Sequence, residues 1–373
     1  MFDLKSKLVY KSNRILDILD TLSGSSRPVG LIGGGVYARI LSEALPRYGV
    51  KPEFIVLDEV YIKNTASELY GLPVITPDEC SRRYCDAYLI VAYRYKYENE
   101  WSIIRNETFK FTPETEVITL GTYFLNELDW LPYEYIIGSI DAFEQTYNML
   151  DDALSRRIMV EYLNAKISGD ARKLIMFNTD SKNDYELSVI KENCHDGVII
   201  ECGAFDGTSA LEIDDCFAGE RKIFALEPVS DTFAKLCKNT QGRKMIIPVK
   251  KGTSDKSGTA YINGGDSTAS VEFGNNRLGE KIDIITLDES FENESAAVIV
   301  MDIEGSELST LKGAQKIIKR DHPLLAVRVY HKWDDLITIP QFIASLGGDV
   351  PYRFFLRVNN SFIGTYDITL YAI

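Results

Sequence analysis

Short apolar runs alternate with amphipathic stretches along this chain, and the period of the pattern changes between them. Val29–Ile32 is a continuous apolar run, and Val36–Leu45 after it carries apolar residues at helical spacing. Phe54–Leu57, Pro73–Ile75, Ala87–Val91 and Val117–Leu120 read as further strands, with a helix over Glu98–Arg105. Ahead of them Ile15, Ile18, Leu19 and Leu22 share one helical face, which predicts a helix over residues 4–22 packed on this first sheet. Residues 121–150 are aromatic and irregular, an ordered bridge, and Leu154, Ile158, Tyr162 and Ala165 then repeat at near-helical spacing within Asp151–Lys166. A second series follows: strand 198–201, helix 208–217, strand 223–226, helix 230–238 and strand 245–249. It continues with strand Ile282–Leu287, strand 298–301, helix Glu307–Ile318, strand Leu324–Val329 and helix Ile337–Leu346. Tyr352–Arg357 and Tyr366–Tyr371 alternate like an antiparallel pair at a sheet edge.

Two successive α/β series in 373 residues predict an α/β protein of two Rossmann-like domains. The expected limits are 1–125 for the first domain, 126–170 for a bridging segment and helix, and 171–373 for the second, whose mixed sheet ends in the antiparallel pair. The formal charge of −14 argues against nucleic-acid partners and anionic lipid, because phosphate attraction needs clustered Lys and Arg. No apolar run is long enough to span a bilayer, and Met1–Asp20 has no apolar core of signal-peptide type, so a cytoplasmic protein is expected. The six cysteines form no C-x-x-C pair and have no supporting His cluster, which points to reduced thiols and no structural zinc.

Candidate chemistry gathers where apolar runs end. Val198–Glu201 leads into Cys-Gly-Ala-Phe-Asp-Gly-Thr, and Val298–Met301 leads into Asp302, Glu304 and Glu307. Open α/β sheets bind ligands at the carboxyl ends of such strands. Gly203 and Gly207 flank a turn where the backbone can approach a ligand closely. Glu227 ends the next strand, where a carboxylate can accept two ribose hydroxyls. Asp302, Glu304 and His331, which ends the adjoining strand, are candidates for removing a proton or holding an acceptor. A carboxylate pair at a strand end could also hold a divalent ion, but the sequence shows no clear ligand set, and no metal is expected. The bland alternatives are that Glu304 caps the following helix, Asp302 holds a loop amide and His331 bonds the backbone beside Trp333.

Six linked segments carry a resemblance to the FkbM-type methyltransferases over about residues 150–373. They are V-I-I-E-C-G-A-F-D-G-T-S, F-A-L-E-P, K-G-T-S-D-K-S-G, I-T-L-D-E, M-D-I-E-G-S-E and Y-H-K-W-D-D-L, with I-P following. Glu201 stands where many relatives have Asp. The resemblance implies a class I methyltransferase sheet, S-adenosylmethionine as cofactor and methyl transfer to a hydroxyl. It implies cofactor contacts from Glu201, Gly203, Ala204, Phe205, Asp206, Gly207, Thr208, Glu227, Pro228, Thr253, Ser254, Asp255 and Asp302, with the 252–255 segment near adenine. Catalytic roles fall to Asp302, Glu304 and His331, and the acceptor is expected to be a sugar hydroxyl on a nucleotide sugar or a surface glycan.

In the first domain, Gly33-Gly34-Gly35-Val36-Tyr37-Ala38 matches G-x-G-x-x-A between a strand and a helix, and Asp58 ends the next strand. With Tyr70–Glu79 and Cys85–Ala92, this part resembles the nucleotide-sugar-binding domain of sugar acyltransferases of the sialic-acid and bacillosamine type. A nucleotide or nucleotide sugar at Gly33, Gly34, Gly35 and Asp58 is the expectation, the bland alternative being a domain that kept the fold and lost the ligand, serving assembly or docking. Two other readings remain open on sequence: a nicotinamide-dependent oxidoreductase using this loop, and a non-catalytic nucleotide-sugar module. Homo-oligomer formation is compatible with either domain.

Overall fold

The computed structural model of the protein describes residues 3–62, 66–93, 102–107, 109–120, 130–170, 174, 176–177, 184–263, 270–272, 279–347, 350–358 and 367–373. The chain forms two compact units. One comprises Met1–Ile140, Val160–Asn178 and Asn360–Tyr366, the other Asp141–Met159, Thr179–Asn359 and Asp367–Ile373.

The first unit holds six strands: β1 (Val29–Ile32), β2 (Phe54–Val56), β3 (Glu68–Leu69), β4 (Leu72–Ile75), β5 (Tyr88–Val91) and β6 (Glu116–Ile118). Their order is β3-β4-β2-β1-β5-β6, parallel throughout except for the β3–β4 hairpin. The apolar run Val29–Ile32 is buried at all four positions because it is central, paired to β2 on one side and β5 on the other. The expected helix over 4–22 is broken. A single turn at Lys5–Lys7 precedes a helix at Arg14–Ser23, and the Asn13 side chain accepts from Ile15 N–H at 2.8 Å to start the latter. Residues 98–101 of the helix expected over Glu98–Arg105 lie outside the described residues, while 102–104 are helical. Residues 121–129 of the expected bridge lie outside the described residues, and the remainder is more regular than its aromatic composition suggests, with helices at Tyr133–Gly138 and Ile140–Met149 burying Ile136 and Phe143.

The second unit is built on β7 (Val198–Cys202), β8 (Ile223–Leu226) and β9 (Ile246–Val249), with β10 (Gly252–Thr253), β11 (Gly258–Asn263), β12 (Ser270–Glu272) and β13 (Glu280–Ile285) after them. β14 (Ala296–Met301), β15 (Leu324–Arg328), β16 (Phe354–Val358) and β17 (Ile368–Ala372) complete it. The main sheet runs β16-β17-β15-β14-β7-β8-β9, parallel from β15 to β9. β17 is antiparallel to both its neighbours and lies between β15 and β16. The alternation expected of an edge pair is absent in β17, whose five residues are all buried, because only β16 lies at the edge.

β13 departs from expectation. It belongs to a separate small sheet, β10-β13-β11-β12, and not to the main series. Its two-faced pattern, with Ile282 and Ile284 buried and Lys281 and Asp283 exposed, fits a sheet with one apolar face. β7 and β14 are adjacent and buried along their whole length. From this pair the connections run outward in opposite directions, so the loops after β7 and β14 part at their carboxyl ends. That is where open sheets form a crevice.

Candidate active site

The crevice at the ends of β7, β8 and β14 is a cavity of about 300 Å³. Gly203 and Phe205 come from the loop after β7, Glu227 to Val229 from the loop after β8, Lys251 to Thr253 from β10 and its approach, and Asp302 to Glu304 from the loop after β14. Two backbones meet closely here. Gly203 has φ +87, and a Cβ on it would fall on the carbonyl oxygen of Asp302. This glycine therefore serves the contact between the two loops, reinforced by Asp302 N–H donating to Cys202 O at 3.0 Å.

Glu227 is nearly buried and forms part of the cavity wall. Its Oε1 accepts from Val229 N–H at 2.9 Å and from Thr232 Oγ1 at 2.7 Å, and its Oε2 accepts from Phe205 N–H at 3.1 Å. A carboxylate offers about four lone-pair directions. Three are occupied, which leaves one strong acceptor site for a ligand where the sequence suggested a grip on two hydroxyls. Burial pushes the Glu227 carboxyl above its ordinary value, against the lowering effect of those hydrogen bonds.

Of the residues expected at the cofactor, Gly203, Phe205, Glu227, Pro228, Thr253 and Asp302 line this cavity. Glu201, Ala204, Asp206, Gly207, Thr208, Ser254 and Asp255 do not. Glu201 is buried and accepts a hydrogen bond from Ser209 Oγ. Asp206 Oδ1 accepts from the N–H and hydroxyl of Thr208, holding the start of the helix Thr208–Cys216. Ser254 is buried because Gly313, closing the helix Glu307–Lys312, packs against its carbonyl so tightly that a Cβ has no room. The sequence reasoning did not single out Leu226, Val229, Thr232, Lys251, Ile262 or Ser306, which also line the cavity. Thr232 had a findable signal, since it lies in the first turn of the helix Ser230–Asn239 that follows the strand-end Glu227. Cys202 also lines the cavity, with burial raising its thiol to about 12, so it is an unreactive wall.

Beside the cavity the loop after β14 meets the end of β15. Asp302 and Glu304 do not share a strand face, because β14 ends at Met301 and the chain turns, with φ +52 at Glu304 and φ +93 at Gly305. The turn still brings them together. His331 Nε2 lies 3.5 Å from Asp302 Oδ1 and 3.6 Å from Glu304 Oε2. His331 Nδ1 lies 2.9 Å from Oε1 of Glu307, whose side chain is fully buried, and the same oxygen accepts from Ile303 N–H at 3.0 Å. The loop amide of Ile303 is thus held by Glu307, while the N-cap of the helix Glu307–Lys312 is Ser306, with no side-chain cap hydrogen bond. Arg328 Nε stands 3.5 Å from Asp302 Oδ2. Burial pushes the imidazole down, but Glu307, Asp302 and Glu304 outweigh it and raise His331 to about 9. Burial raises Glu304 to about 7, despite the opposing pull of His331.

The first unit has its own cavity of about 600 Å³ at the ends of β1, β2 and β5, with Gly33, Gly34, Gly35, Asp58, Tyr61 and Tyr93 in its wall. Tyr70 Oη donates to the carbonyl of Gly34 at 3.0 Å, and Asp58 Oδ1 accepts from Val60 N–H at 3.0 Å. Asp58 is exposed, so its other oxygen can face a ligand.

The family model described as the methyltransferase FkbM domain matches residues 201–350, which contain the walls of the first cavity and the Asp302–Glu304–His331 cluster. Residues 201–350 thus match an FkbM methyltransferase domain. The chain is a methyltransferase, and its methyl donor is S-adenosylmethionine. In fold it is similar to the methyltransferase FkbM from Methylobacillus flagellatus KT, with a TM-score of 0.74 and 19% identity over 99% of this chain and 97% of that one. It also matches an rRNA methylase from Streptococcus thermophilus at a TM-score of 0.35 and 15% identity, over 52% of this chain and 96% of that one. No curated protein sequence matches. The cavity suits the cofactor: a buried carboxylate with one acceptor direction left, apolar walls at Leu226, Pro228, Val229 and Ile262, and a mouth at Asp302. Among the described residues no helix is long and apolar enough to cross a membrane.

Proposed function

We propose that this methyltransferase acts on a sugar hydroxyl, carried by a nucleotide sugar or a surface glycan, with Asp302, Glu304 and His331 on the acceptor side. The observation that carries this reading is the position of Asp302, which lines the cofactor cavity and also faces His331 at 3.5 Å. One carboxylate therefore stands between cofactor and acid–base cluster. Bound S-adenosylmethionine supplies an electrophilic methyl group. The chain must then hold an alcohol oxygen in line with it and draw off the alcohol's proton, since alignment and proton removal are the two costs of the reaction. Asp302 orients the hydroxyl, with Oδ2 steadied by Arg328 and Oδ1 turned to His331. Glu307 fixes the ring of His331. Glu227 holds the cofactor's ribose, and Phe205, Pro228 and Thr253 complete its bed.

The sugar assignment draws on the first unit as well. Its cavity at Gly33–Gly35 and Asp58 has room for a nucleotide or a nucleotide sugar. The test is formation of S-adenosylhomocysteine from S-adenosylmethionine with a panel of nucleotide sugars, free glycans and small catechols. Turnover with sugar-bearing acceptors supports the reading. Turnover confined to non-sugar alcohols removes the sugar and leaves the methyltransferase.

A further inference from the structure

We propose that Oδ1 of Asp302, Oε2 of Glu304 and Nε2 of His331 bind a divalent first-row metal ion, with Mn²⁺ the best match to two carboxylates and one imidazole. That the ion then receives the acceptor hydroxyl rests on the methyltransferase reading above; the site itself does not.

Three observations lead there. His331 is held from behind. Its Nδ1 lies 2.9 Å from Oε1 of Glu307, a carboxylate with a fully exposed fraction of zero. With the N–H of a neutral ring on that side, the lone pair of Nε2 points at Asp302 and Glu304. The His331 side chain is only 8% exposed, and Nε2 makes no hydrogen bond, although two carboxylate oxygens stand 3.5 and 3.6 Å away. Three ligand atoms thus converge on one point, and a metal ion or a proton held between them makes the arrangement favourable.

The spacing fits such a cation. Ligand atoms bound at about 2.1 Å and roughly 90–110° apart lie about 3.0–3.5 Å from one another. The three ligand atoms here lie within 4.8 Å of one another, and the two distances from Nε2 are already close to that range. Glu307 makes the outer contact that metal-binding histidines usually have, and by also accepting from Ile303 N–H it ties the ring to the loop carrying both carboxylates. Asp302 and Glu304 are 41% and 37% exposed, so water and an acceptor oxygen have access to the remaining positions. Arg328 engages Oδ2 of Asp302 and leaves Oδ1 to the ion. Asp335 offers an inner alternative with Glu307 and His331, but there Nδ1 is already committed to Glu307. The ion's contribution would be to polarise a bound hydroxyl, so that its proton passes to water as the oxygen–methyl bond forms and the methyl–sulfur bond breaks.

The competing occupant is a second proton on His331, and Mn²⁺ alone as probe separates the two. Full-length protein is treated with a chelator, desalted and titrated with Mn²⁺ at pH 7.5, the free ion being followed by its paramagnetic resonance signal. The expected result is one ion per chain, with affinity at least tenfold weaker in Glu304→Gln and in Asp302→Asn while circular dichroism is unchanged, and little altered in Asp335→Asn. No uptake up to millimolar Mn²⁺ overturns the site, as does uptake that both loop variants leave unchanged or that Asp335→Asn alone abolishes. Calorimetry with S-adenosylmethionine on the same preparation keeps the two readings apart. Cofactor binding without Mn²⁺ uptake removes the metal site only, and Mn²⁺ uptake without cofactor binding or turnover removes the functional reading only.

Discussion

At the scale of single residues, the proposed function gives separate roles to Glu227 and Asp302, both in the cavity wall. Glu227 has one acceptor direction left after Phe205, Val229 and Thr232 have taken theirs. One charge-assisted hydrogen bond lost in Glu227→Ala is expected to weaken S-adenosylmethionine binding by about 1.5–3 kcal/mol, read by calorimetry. Unchanged affinity in folded protein would remove Glu227 from the site. Its titration gives a second handle. Burial places the folded carboxyl above the ordinary 4.5, and the ionised form accepts a hydroxyl's hydrogen bond more strongly than the protonated one. Cofactor affinity should therefore fall on acidification through a point above 4.5, and Glu227→Gln should lack that step. The same raised value means the folded protein holds this proton more tightly than the unfolded chain does. The ionised group thus costs stability above its folded pKa, and the cost is relieved as pH falls. For Asp302→Asn, which keeps the shape and removes the charge, turnover should drop about 10²–10⁴-fold with circular dichroism unchanged. Near-normal turnover in a less stable protein would make Asp302 a loop support.

At the scale of elements, what could be read in advance was whatever local pattern dictates. The buried runs at Val198–Cys202 and Ala296–Met301 were legible because parallel central strands are apolar at every position. Acids at their ends were legible for the same reason. Which sheet a strand joins is not a local property. The run Ile282–Leu287 looked like one more member of the series, and only the long-range pairing of Glu280–Ile285 with Gly258–Asn263 places it in the small sheet. Convergence of Asp302 and Glu304 was likewise hidden, since it depends on a left-handed turn at Glu304, a conformation a glutamate seldom adopts. The helix Gln315–Asp321 yields a testable case of element stability. Asp321 Oδ2 accepts from Ala296 N–H at 2.8 Å, fastening the helix end to the start of β14, and it pairs with Arg320 at 2.6 Å. Burial would raise its carboxyl, but Arg320 and the Ala296 N–H hold it below the ordinary 3.8. A depressed carboxyl contributes stability that is complete above the unfolded value and fades as pH falls through the folded one. Asp321→Asn should therefore cost about 1–2 kcal/mol in urea unfolding at pH 7. The gap from wild type should shrink below pH 3.8, and a gap independent of pH would show that charge has no part in it.

At the scale of the whole molecule, the described residues of each compact unit enclose a cavity, and each lies at the carboxyl ends of a mostly parallel sheet. In the second unit the carboxylates around the crevice define a chemistry. In the first, the glycine loop and Asp58 define a shape that suits a nucleotide, while Asp58 also caps the short helix after it. Sequence alone left ligand and docking roles open there, because a glycine turn after a strand serves either. Gly34 separates them. A Cβ at this position would first meet the side-chain ends of Leu69 and Leu57, which can yield, so Gly34→Val is expected to fold and to project its methyl groups into the cavity. With wild-type protein, uridine and cytidine diphosphate sugars should raise the melting temperature, and Gly34→Val should abolish that rise. S-adenosylmethionine should protect both proteins equally, since the cavity proposed for it belongs to the other unit. If no nucleotide or nucleotide sugar protects the wild type, the first unit has kept a nucleotide-binding shape without the ligand, and docking becomes its role. Protection that persists in Gly34→Val would put the ligand elsewhere on the chain.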